Sequence, residues 1–213
     1  MKKVTTTLAL AVLTLLATAQ TPNPKYVAAM QKQVVLVDSF KTDQQALSAT
    51  FKRIGDAEKK EALPYYYAAL TKVNAGRNMK AAKDITQAAN EADSLLAKAI
   101  AINKTTTSEF ETIRGMVFGI RMNAEPDKFM QYGPAGSAAF GKAIAMDTTN
   151  PRPLMMLGVN TFYTPEQFGG GKKKAAAMIA KAEQLFATFK PLTNLHPIWG
   201  RGMLYGFAKG LVK

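Results

Sequence analysis

Residues 151–187, PRPLMMLGVNTFYTPEQFGGGKKKAAAMIAKAEQLFA, decide how this chain is read. Apolar residues recur at three- and four-residue spacing on both sides of Gly169-Gly170-Gly171, so the stretch predicts two helices and a connecting turn. The three glycines before three lysines invite comparison with a phosphate-cradling loop, which needs Gly-x4-Gly-Lys-Ser/Thr opening a helix after a strand. Here Glu166 stands where the first glycine should be and Lys173 where the hydroxyl should be, and no strand pattern precedes them. Phe168, Gly169, Gly170 and Gly171 are therefore assigned to an interhelical turn in which glycine permits positive φ. Lys172, Lys173 and Lys174 at the following helix start run against the helix dipole and offer at most a weak anion site.

Working outward, the same alternation of helix and break covers the chain. Helices are predicted at about 25–40, 44–54, 63–74, 79–102, 107–122, 127–146, 151–163, 171–189 and 197–212, separated by Gly, Asn and Pro punctuation. The second helix of each of three pairs carries a small residue, a large apolar residue and an alanine at fixed spacing: Ala92, Leu96, Ala99; Gly136, Phe140, Ala143; Ala175, Ile179, Ala182. Small positions let helices approach and the large one fills the gap, as stacked helical hairpins require. The expected fold is all-α: a right-handed array of about three elongated, degenerate hairpins over 63–103, 107–147 and 151–189. Two helices precede it, and an amphipathic C-terminal segment, 195–213, caps it or lies on an anionic membrane surface.

In the third pair, Leu154-x2-Leu157-Gly158 before Phe162-Tyr163 resembles the Trp-x2-Leu-Gly-x2-Tyr signature of the tetratricopeptide repeat. Asn150-Pro151-Arg152, Leu157-Gly158, Tyr163-Thr164-Pro165, the Phe168 turn and His196-Pro197-x-Trp199-Gly200 are together similar to secreted tetratricopeptide-like proteins of Gram-negative bacteria. The glycine turn also resembles that of helical-repeat lipoproteins accompanying periplasmic solute transporters, although this chain has no cysteine to carry a lipid. The resemblance implies a helical repeat with a protein-binding or scaffolding role and brings no catalytic residues.

The N-terminus reads as a signal peptide, 1–19: Lys2-Lys3, an apolar run from Val4 to Leu16, and Ala17-Thr18-Ala19 as the small-x-small cleavage site. That places the remainder, 20–213, as a single domain in the periplasm or outside the cell, with no transmembrane segment in the mature chain. Absence of cysteine removes disulfides and thiol chemistry, so packing alone must hold the fold. Net charge is +13, and losing Lys2 and Lys3 with the leader lowers it by two. The lysines are dispersed over helix surfaces, which favours solubility and acidic partners; a nucleic-acid block is not present.

No catalytic or metal motif occurs and no cofactor is implied: His196 is the lone histidine, and Glu109 and Glu111 fall on different helix faces. The candidate binding residues are Tyr65, Tyr66, Arg114, Arg121, Asn160 and Tyr163. Tyr65, Tyr66 and Tyr67 point in three directions, so at most one or two are expected to be buried; they serve either packing between repeats or contact on the inner wall. Arg114 and Arg121, seven apart, either line a groove and grip a carboxylate or phosphate, or bridge to acids of a neighbouring repeat. The sequence thus predicts a non-catalytic adaptor for an acidic protein or peptide. Its alternatives are a small-solute-binding component of a periplasmic transport system and an electrostatic cell-envelope attachment protein.

Overall fold

The computed structural model describes residues 23–39 and 41–211; the predicted leader, 1–19, and the ends of the first and last predicted helices lie outside them. The described chain is helical, with nine α-helices and no strand: α1 Pro24–Val34, α2 Gln44–Glu58, α3 Ala62–Arg77, α4 Ala82–Asn103, α5 Ser108–Ala124, α6 Phe129–Met146, α7 Pro151–Tyr163, α8 Lys172–Thr188 and α9 Arg201–Leu211. Short 3₁₀ turns at Pro126–Lys128 and Glu166–Phe168 precede α6 and α8. Side-chain or steric caps set several starts: Asn23 before Pro24, Asp43, Thr107, and Asn150 before Pro151.

Sequential helices pack as antiparallel hairpins, α3 on α4, α5 on α6 and α7 on α8, and α5 also meets α3 and α7. The small, large and alanine positions read from the sequence are all buried in these seams. In the second and third hairpins the partner of the large residue is a glycine on the first helix. A Cβ at Gly115 would lie 2.4 Å from the Phe140 ring, and one at Gly158 would lie 2.8 Å from Ile179 Cδ1. The ring and the branch thus sit directly against backbone, so these two hairpins close to a distance that alanine would prevent.

Two predicted boundaries are corrected. The first helix, expected to reach position 40, ends at Val34, where the backbone tightens into i to i−3 bonds at Leu36 and Val37. This bends Asp38 toward Gly200, whose N–H donates to the Asp38 carboxylate at 3.0 and 3.1 Å. The last helix, expected from 197, starts at Arg201. The carbonyls of Pro197 and Trp199 are instead turned inward, where the Arg152 guanidinium donates to both, and Gly200 takes φ +106°.

Candidate functional site

Arg152 centres a buried polar seam. Its Nε donates to the Trp199 carbonyl (3.0 Å), one Nη to Glu109 Oε1 (3.0 Å) and the other to the Pro197 carbonyl. Phe186, Phe189 and Trp199 rings surround the guanidinium, with the Phe189 centroid at 4.6 Å. Glu109 also accepts from Asn150 Nδ2 (2.9 Å) and from the Tyr66 hydroxyl (2.6 Å), which in turn accepts from Trp199 Nε1 (2.7 Å). Burial and the adjacent Glu109 push the Tyr66 phenol far above its usual range, so it stays a proton donor. Every polar group in this seam has a partner, which makes it a structural clasp joining α3, α5, α7 and the segment before α9.

The expectation for the tyrosines is corrected here. Tyr65, Tyr66 and Tyr67 are all buried, because α2, α4 and α5 enclose α3 from three sides. Tyr65 donates to Asp56 at 2.8 Å and Tyr67 to the Leu195 carbonyl at 2.8 Å; Tyr65 and Tyr66 are not contact residues on an open wall. The two arginines also part company. Arg121 reaches Asp93 and Asn90 of α4 at 2.6 and 2.9 Å, an interhelical bridge. Arg114 stays exposed and pairs within its own helix with Glu111 at 3.3 Å. Neither lines a concavity with Asn160 or Tyr163.

Asn160, Tyr163 and Phe168 do come together, in a cleft of about 1010 Å³. One wall is the second half of α5, with Gly119, Ile120 and Met122; the opposite wall is α7, with Met156, Val159 and Asn160. The start of α6 supplies Phe129, Met130 and Gly133, the turn after α7 supplies Pro165 and Phe168, and α9 closes one side with Met203 and Phe207. Two glycines widen the space: a Cβ at Gly119 or Gly133 would meet nothing within 4 Å. Pro134 lies inside α6, so the Met130 carbonyl at the rim loses its helical donor. Phe129, Met130, Tyr163 and Phe168 are exposed around the mouth, Tyr163 at 72%, and the Phe129 and Phe168 rings meet edge to face at 6.0 Å across it. Such a concentration of exposed apolar side chains marks a binding surface.

Among the described residues, the single charged side chain lining the cleft is that of Arg77, the last residue of α3. It makes no hydrogen bond or ion pair with any described residue. The residue retains some accessible surface, but protein encloses the guanidinium on the sides away from the cleft, and this desolvation pushes its pKa down to about 10. It is still cationic at neutral pH, favoured by the C-terminal end of the α3 dipole.

His196 lies elsewhere, in a shallower recess with Glu109 and Lys190, where its Nδ1 pairs with Thr193 Oγ1 at 2.7 Å. No group of three or more metal-ligating His, Cys, Asp or Glu side chains occurs among the described residues. None of the helices described is long and apolar enough to cross a membrane. The glycine turn donates its N–H groups to the chain itself: Gly169 to Glu166, Gly170 to Pro165 and Gly171 to Thr161 carbonyls. Those three glycine N–H groups are thus not open to an anion.

The cleft therefore belongs to an all-helical protein with an apolar recess and one cation. No family model matches the chain, and neither does any curated protein. Among solved structures it is similar to the HusA haemophore from Porphyromonas gingivalis, with a TM-score of 0.78 and 28% sequence identity, covering 87% of this chain and 92% of that one. The alignment spans nearly the full length of both proteins, so the likeness concerns the whole helical fold.

Of the contact residues expected from sequence, Asn160 and Tyr163 line this cleft; Phe168, expected only as part of a turn, lines it too, and the methionines, the α6 entry and Arg77 were not among the expected residues. Arg77 sits within Ala75-Gly76-Arg77-Asn78, which the sequence presents as helix-ending punctuation.

Proposed function

We propose that this chain is an exported, non-catalytic carrier of haem or a closely related tetrapyrrole, bound in the cleft between α5, α6, α7 and α9. The observation that carries the reading is the cleft itself, large and apolar with a ring of exposed aromatic and methionine side chains, in a fold similar to that of a haemophore. Its volume lies at the top of the range of roughly 300–1,000 Å³ typical of small-molecule sites, suited to a broad ring and too large for a small polar solute. Flat aromatic and flexible thioether walls fit a planar conjugated face. The histidine is outside the cleft, so Met122, Met130, Met156, Met203 and Tyr163 are the side chains there able to meet an iron centre. Retention then rests chiefly on burying the macrocycle.

This reading takes the place of the peptide adaptor, whose anchors Tyr65, Tyr66, Arg114 and Arg121 do not form one surface. It matches instead the small-ligand alternative. We read the helical stack as tetratricopeptide-like: three hairpins bury the same small, large and alanine positions, and in two of them the large residue packs on a glycine of the first helix. The predicted leader and the haemophore likeness both support export, and the positive net charge favours encounter with an acidic ligand.

Titrating haem into the purified protein and following its absorbance tests the proposal, with Gly133→Phe as the blocked form. A ring at Gly133 enters open space and removes a helix-interior glycine, so helicity and melting temperature should hold or rise. Saturable binding by the wild type and its loss in Gly133→Phe are expected. Equal binding by both proteins would place the ligand elsewhere.

A further inference from the structure

We infer that Arg77 is the specificity-determining residue of the cleft, selecting apolar ligands that carry a carboxylate and seating that carboxylate against the end of α3. The inference rests on the cleft being the ligand site, and adds which part of the ligand goes where.

Three observations meet at this side chain. Among the described residues it is the only charged one lining the cleft, and none of them sets an acid against it there. It makes no bond to a described residue, whereas the fully buried Arg152 satisfies its donors with two carbonyls and a carboxylate. The helix end that carries it packs tightly, a Cβ at Gly76 standing 3.1 Å from Ile120 Cδ1 and 3.2 Å from Ala88 Cβ, which fixes where the side chain starts. A desolvated guanidinium with open donors gains most from a planar, bidentate acceptor arriving from the cleft side. Asn123 and Asn160 lie in the same cleft as uncharged hydrogen-bonding groups. Ser137, Tyr163 and Thr164 add hydroxyls and the remaining lining is apolar, so the ligand's ring faces the methionine and phenylalanine walls while its acid faces Arg77.

The test compares protoporphyrin, a diacid, with its dimethyl ester, which keeps the macrocycle and removes both charges. Affinities are read for wild type, Arg77→Met, Arg77→Lys and Arg114→Met, each confirmed as folded by helicity and melting temperature. Wild type should prefer the diacid by about 10- to 100-fold, the range for a charge-assisted hydrogen-bonded contact. Arg77→Met should erase that preference while keeping ester binding, and Arg77→Lys should keep part of it as a point charge without the fork. Arg114→Met makes the same change of net charge outside the cleft and should leave the preference intact. An undiminished preference in Arg77→Met, or an equal loss in Arg114→Met, would overturn the assignment. Wild type binding diacid and ester equally removes the role of Arg77 and leaves the cleft reading standing; binding neither removes both.

Discussion

Two arginines, one at the start of α7 and the other at the end of α3, stand in opposite circumstances. Arg152 lies in a dry seam where a carboxylate, two carbonyls and three aromatic rings surround it. Arg77 lies at the edge of an apolar cleft with no partner among the described residues. Desolvating a cation is costly wherever it happens, and only in the seam does the protein itself offset the cost. A satisfied buried arginine is thus part of the fold, and an unsatisfied one facing a cavity is waiting for something from outside.

Removing each arginine sharpens that contrast. Arg152→Met strips Glu109 of its counter-ion and leaves two carbonyls unpaired, so stability measured by urea unfolding should fall by about 3–5 kcal/mol. Tyr66→Phe, in the same seam, removes the acceptor of Trp199 Nε1 and a donor to Glu109, and should cost about 1–3 kcal/mol in the same assay. Arg77→Met breaks no bond, and its unfolding free energy should stay within about 1 kcal/mol of wild type, on either side. A loss as large as that of Arg152→Met would show that Arg77 is structural too and dissolve the comparison.

The smallest effect concerns acid. Burial lowers the His196 pKa, with Glu109 nearby opposing the shift. The unfolded chain therefore takes up the proton first, near pH about 6.5, so His196 supports folding above that value and the support drains away as pH falls below it. Melting temperatures at pH 8, 6 and 5 should decline, and His196→Gln should flatten the decline between 7 and 5.

The hairpins were legible because their packing is written at fixed spacing: Ala92, Leu96 and Ala99 and their two counterparts keep helices close whatever surrounds them. The Phe168 turn was legible because its glycines adopt φ of +83° and +109° at Gly169 and Gly171. The tyrosines were misread because a helix-face argument presumes one wet side, whereas α3 is enclosed by three helices and has apolar and aromatic positions all round. The cleft escaped notice for a different reason. Its walls come from five separate stretches of chain, and Met122, Met156 and Met203 are individually ordinary core residues at helical spacing. Arg77 carried no local signal, since its meaning lies in what is missing around it. His196-Pro197 and Trp199-Gly200, which first served only as a motif, prove to supply acceptors for Arg152 and the N–H held by Asp38.

That last contact joins positions 162 residues apart. A stack of hairpins that touches only its neighbours can melt from its ends inward, one unit at a time. Here Asp38 grips the entry to α9 and Trp199 grips α3, so neither the segment after α1 nor the entry to α9 can peel away without loosening the other. The chain is tied into a ring, and its unfolding should be a single sharp cooperative transition, approached on refolding through a slow search for that long-range closure.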